Sequence, residues 1–89
     1  MNRSALRAAL DAAHVSPRSY SLDGGLANDT VCLESVPSGH WLVYYTERGS
    51  RFDEIEFGSE HDACRYLLGL FVPEHRVSLS EERLMAEDE

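Results

Sequence analysis

Apolar residues at Leu6, Ala9, Leu10 and Ala13 recur at helical spacing, which predicts a first helix from about Ala5 to His14. Ser4 is its expected cap. Pro17 is its expected stop, because the residue before a proline is pushed out of helical geometry. Arg3, Arg7 and Asp11 step along another side, which reads as solvated. A loop follows from Ser16 to Asn28, with Tyr20 and Leu22 expected to pin it to the core and Gly24-Gly25 to turn it. The pattern then changes to aromatic and β-branched runs, Val31 to Val36, Trp41 to Arg48 and Arg51 to Phe57, which predict three strands. Pro37-Ser38-Gly39-His40 links the first two. Gly49-Ser50 links the second pair and fits a type II′ hairpin. Ser59-Glu60-His61-Asp62 resembles a capping box with Asp in place of Glu or Gln. Behind it, Ala63, Cys64, Leu67, Leu68 and Phe71 form the stripe of a second helix that Pro73 stops. The reading is an α+β fold in the order α-β-β-β-α. A three-stranded antiparallel meander is flanked by two helices, both on one face of the sheet. Residues 1–77 make a single domain, and 78–89 an acidic tail with a short helix expected at Glu81 to Met85.

These links set a register for each hairpin. With Gly49-Ser50 as a two-residue turn, Thr46 faces Asp53, Tyr44 faces Ile55 and Leu42 faces Phe57. With four loop residues in the first hairpin, Val36 faces Trp41, Glu34 faces Val43 and Cys32 faces Tyr45. Both registers put Val31, Leu33, Leu42, Tyr44, Ile55 and Phe57 on one face, the expected core. Cys32, Glu34, Val36, Trp41, Val43, Tyr45, Glu54 and Glu56 fall on the other. A slip of one residue would exchange the faces. A face of Trp, Tyr and Val among glutamates suits docking of a basic partner, since aromatic groups give contact area at low entropy cost and acids select bases. The alternatives are that the acidic tail folds over this face or that two copies meet there.

Composition sharpens this picture. At 89 residues the chain makes one domain and buries only about 60–65% of its unfolded surface, leaving little room for a deep cleft. Sixteen acids stand against eight bases, all of them arginine, for a net charge of −8. That balance repels phosphate backbones and argues against nucleic acid as a partner. It speeds encounter with basic proteins, and it also serves plain solubility. The apolar run Tyr66 to Val72 is too short for a bilayer, and Met1 to Val15 lacks a signal-peptide pattern. A soluble cytoplasmic protein, with no membrane partner, is expected. Cys32 and Cys64 have no C-x-x-C pairing and read as free thiols.

No chemistry stands out. His14, His40, His61 and His75 have no metal-ligand spacing, so no metal and no cofactor is expected. Nucleophile elbows, phosphate loops and zincin helices have no match. Glu54 and Glu56 share a side, but paired catalytic carboxylates need a cleft. Cys64 lies three residues after His61, yet it belongs to the apolar stripe. A non-enzymatic protein is therefore expected, with an enzyme acting through His61 or Cys64 as the least favoured alternative.

The order helix, meander, helix also occurs in double-stranded RNA-binding domains, but their second helix is basic and here it opens Glu60, His61, Asp62. A closer likeness lies in Tyr20-Ser21-Leu22-Asp23-Gly24-Gly25, in Trp41 to Gly49 and in Ser59 to Leu68. Together these words resemble the small acidic immunity proteins of bacterial polymorphic toxin systems, over about Ser16 to Phe71. The resemblance implies an inhibitor that binds a cognate toxin with a basic surface, a nuclease or an NAD-consuming enzyme. In that reading Glu34, Glu47, Asp53, Glu54 and Glu56 meet toxin bases, Trp41 and Tyr45 anchor with Val43 between them, and Asp23 adds a contact. The other function class is a homodimeric regulatory or accessory module that uses the same face for self-association.

Overall fold

A computed structural model describes residues 1–25 and 28–75. Helix α1 spans Arg3–Ala12. Its cap is Asn2 instead of Ser4, with the Asn2 side-chain oxygen accepting the Ala5 N–H at 2.9 Å. Asparagine satisfies the free amides of a first turn as well as serine does. Nor does Pro17 end the helix. His14 turns to φ 64, its N–H bonds the Asp11 carbonyl, and the Val15 N–H reaches back to the Leu10 carbonyl. This is a Schellman closure with histidine where glycine is usual. Val15 then packs on the core that buries Leu6 and Leu10.

The stretch expected to be loop holds a short 3₁₀ turn at Pro17–Ser19 and a strand, β1, at Tyr20–Ser21. β1 pairs in parallel with β2, Thr30–Ser35. With β3 (Trp41–Glu47) and β4 (Ser50–Phe57) it makes a mixed sheet of four strands in the order β1-β2-β3-β4. The α+β class and the two helices stand, while the three-stranded antiparallel meander is corrected. A two-residue strand is too short for periodicity to reveal.

The first hairpin is one residue tighter than expected, and the second keeps the expected two-residue length but turns one residue earlier. In the first, the Gly39 N–H closes on the Val36 carbonyl at 2.9 Å, and the Val36 N–H on the His40 carbonyl at 3.0 Å. Gly39 sits at φ 93, the left-handed residue that completes a three-residue hairpin loop. Ser35 therefore faces Trp41, and Leu33 faces Val43. In the second, Glu47 pairs with Ser50, and Arg48 and Gly49 both have positive φ, 54 and 80. That is a type I′ turn on Arg48-Gly49, not a type II′ turn on Gly49-Ser50. A bulge interrupts β4, because Val43 faces Ile55 whereas Tyr45 faces Phe52. Asp53, within the bulge, lies at φ 56.

A strand shifted by one residue turns over. β2 keeps its expected faces and so does β4 from Glu54 to Phe57; β3 is inverted, and so is β4 before the bulge, where Phe52 sits opposite Tyr45 and Arg51 lies over Tyr44. Trp41, Val43 and Tyr45 face the helices with Val31, Leu33, Ile55 and Phe57. Leu42 and Tyr44 lie on the outer face with Cys32, Glu34, Glu54 and Glu56. Helix α2, Glu60–Phe71, begins as expected, with Ser59 Oγ accepting the Asp62 N–H at 3.1 Å. Leu67 and Leu68 of α2 join Leu6 and Leu10 of α1 over Leu33, Val43 and Phe57 in one core. Among the described residues no helix is long and apolar enough to cross a membrane. The expected tail, 78–89 with its helix at Glu81 to Met85, lies outside the described residues.

Candidate interaction surface

The outer face was expected to be open, and it is covered in part, with Glu54 and Glu56 left exposed. Cys32, Tyr44 and Thr46 are buried there, although neither helix covers them. The glycine loop crosses this face. The Gly24 N–H bonds the Leu33 carbonyl at 2.8 Å, extending the β1–β2 ladder. The Ser21 hydroxyl holds the Gly24 carbonyl at 2.8 Å. Gly24 has φ 73, and a Cβ there would stand 3.2 Å from Glu34 Cγ, so the loop comes this close only with glycine. The Tyr44 hydroxyl lies 3.1 Å from the Gly25 carbonyl and 2.8 Å from Glu34 Oε1. A phenol has one proton, and the shorter, charge-assisted contact to Glu34 claims it. Arg51 lies over the Tyr44 ring, 4.2 Å from its centroid. Its guanidinium donates to Glu34 at 2.9 Å and to Glu54 at 3.1 Å. Burial, helped by the Glu34 acceptor, pushes the Tyr44 phenol above its ordinary range. Burial also raises the Cys32 thiol, away from the thiolate form that reacts.

The helix side carries the more open region. Between the sheet and the second half of α2 lies a hollow of about 120 Å³, with Val31, Val43, Tyr45, Asp53, Tyr66 and Leu70 among its lining. Phe52, opposite Tyr45 in the ladder, is 47% exposed, and Leu70 is 41% exposed. The Tyr45 hydroxyl donates to Asp29 at 3.0 Å, and this bond raises its pKa. Among the described residues neither Asp53 nor Glu47 makes an ion pair. A second groove, about 450 Å³, runs between α1 and the Pro17 turn and carries the opposed charges of Arg7 and Asp11.

The expected contact residues thus divide among several places. Asp23 pairs with Arg3 at 3.1 Å, and Arg3 also lies over Trp41, 5.5 Å from the ring centroid. Glu34 and Glu54 share Arg51. Glu56 pairs with His40. Val43 is buried in the floor of the hollow, Tyr45 and Asp53 line it, and Glu47 is half-buried next to the Arg48-Gly49 turn. Phe52, Tyr66 and Leu70 escaped the sequence reading. Phe52 had a signal: apolar positions at 57 and 55 are followed by 52, not 53, and such a break in period-two spacing marks a bulge. Tyr66 and Leu70 are four apart on α2 and share a helix face, but only the inverted β3 brings them to Tyr45. Among the described residues no three His, Cys, Asp or Glu side chains gather as metal ligands would. Compared with protein-family models, curated proteins and solved structures, the chain has no significant match.

Proposed function

We propose that the chain is a non-enzymatic binding module of the bacterial cytoplasm, an immunity protein that neutralises a cognate toxin with a basic surface. The observation that supports this reading most is the region around the hollow. Phe52 and Leu70 stand exposed beside carboxylates, Asp53 and Glu47, that have no ion pair among the described residues. Exposed apolar anchors flanked by uncompensated charge are what a tight, charge-selected protein interface is made of. The net charge of −8 adds long-range attraction for a basic partner. The test is co-expression with the protein encoded beside it. A stable one-to-one complex that protects the cell supports the reading; neither complex nor protection refutes it.

Self-association has one observation in its favour, because β4 is a full-length strand at the edge of the sheet. It would use that edge and not the outer face, which the glycine loop covers. The Asp53 bulge and the acids of β4 work against it, since both are devices that keep edge strands apart. Sedimentation of a monomer independent of concentration would remove this second reading.

A further inference from the structure

The molecule holds its own arginines in a repeated manner. Arg51 stacks on Tyr44 between the carboxylates of Glu34 and Glu54. Arg3 lies over Trp41 with Asp23 at 3.1 Å and Glu60 at 3.9 Å. An aromatic face and a carboxylate together suit a guanidinium, which stacks through its plane and donates through its edge. The hollow beside α2 is built of the same parts: the rings of Tyr45 and Tyr66, an apolar floor of Val31 and Val43, and the carboxylate of Asp53. Among the described residues no arginine lines it. We infer that this hollow is a receptor for an arginine side chain presented by the partner, with the stem on Val31 and Val43, the guanidinium against the tyrosine rings, and Asp53 accepting its N–H groups. Charge complementarity selects that occupant over an apolar one, because the carboxylate at the site has no cation of its own among the described residues and the whole chain carries −8. The bulge contributes by holding Asp53 at φ 56, a conformation that glycine, asparagine and aspartate adopt more readily than most residues.

This inference deepens the binding-module reading and rests on it, yet its test needs no toxin. The full chain, labelled with ¹⁵N, is titrated with Nα-acetyl-arginine amide and with the neutral Nα-acetyl-norleucine amide. Saturable shifts on the order of millimolar affinity are expected at Tyr45, Asp53, Tyr66 and Leu70 with the arginine derivative, and none with norleucine. Asp53→Asn keeps the left-handed backbone and should weaken binding by about tenfold, the loss expected when a charged acceptor becomes a neutral one. Equal binding of norleucine, shifts that Asp53→Asn leaves unchanged, or no shifts at these residues would each overturn the receptor. If the derivative binds but no neighbouring protein is captured, the receptor stands and the toxin reading fails. If the neighbour is captured equally by the wild type and by Asp53→Asn, the toxin reading stands and the receptor fails.

Discussion

Tyr44 and Tyr45 are adjacent in one strand and live in different chemistry. Tyr44 lies on the outer face, 1% exposed, roofed by Arg51 and bonded to Glu34. Tyr45 lies on the helix side, half-exposed, bonded only at its tip to Asp29 and lining a hollow. Around Tyr44 the charges close on each other. Around Tyr45 the nearby carboxylates, Asp53 and Glu47, find no base among the described residues. An excess of acid therefore does not mean an evenly acidic surface. Arg51 engages Glu34 and Glu54 on one side of the sheet, while Asp53 and Glu47 on the other have no ion pair among the described residues.

The contrast can be broken most forcibly at the two tyrosines. Tyr44→Ala should destabilise the fold by about 3–5 kcal/mol, as removal of a fully buried ring does. Tyr45→Ala should cost only about 1 kcal/mol, in line with its partial burial. Urea unfolding of both variants measures the difference, and equal losses would erase the distinction between the faces. A second effect belongs to the core. Burial, with Glu60 nearby, pushes the Cys64 thiol up to about 11. An unfolded thiol loses its proton near pH 8.5, so the unfolded state binds fewer protons between these values. Stability should be full below about pH 8.5 and fall as pH rises toward 11, by on the order of 3 kcal/mol. Cys64→Ala should flatten that part of the pH profile, and an unchanged alkaline slope would show that Cys64 does not contribute.

Smaller effects sharpen the picture. Tyr44→Phe removes the phenol proton but leaves Glu34 bound to Arg51, so a loss of about 1 kcal/mol is expected. Arg48→Asn should stabilise by about 0.5–1 kcal/mol, because Asn-Gly is the favoured type I′ pair and asparagine tolerates positive φ. A neutral result would argue for the other turn. Asp53→Asn should leave stability within about 0.5 kcal/mol of wild type, which separates its role in binding from any role in folding.

The Arg48 variant bears on why part of the fold was hidden in the sequence. The second helix was legible because Ser59, its stripe and Pro73 agree. β2, and β4 from Glu54 onward, alternate clearly enough that their faces came out as observed. β3 does not alternate: Trp41 to Tyr45 is apolar throughout, as befits a strand covered on both sides, by α2 on one and by the glycine loop on the other. Nothing within such a run chooses a face, so the turns decide: the first is one residue shorter than expected and the second lies one residue earlier. The site followed the strand. Acids expected to be free were placed opposite arginines, and the hollow formed where no sequence motif marked it. β1 and the Schellman closure at His14 stayed hidden because one is too short to show a period and the other lacks the usual glycine.

The central claim is that the side of the sheet bearing Tyr45 and Asp53 receives a basic protein, while the side bearing Tyr44 is already satisfied. Hydrogen exchange of the full chain, alone and with the protein encoded beside it, tests this most directly. The account predicts new protection at Tyr45, at Phe52 and Asp53 and along Tyr66 to Leu70, with little change at Cys32 and Tyr44. Protection centred on the outer face at Glu34, Tyr44 and Glu56, or none anywhere, would contradict it.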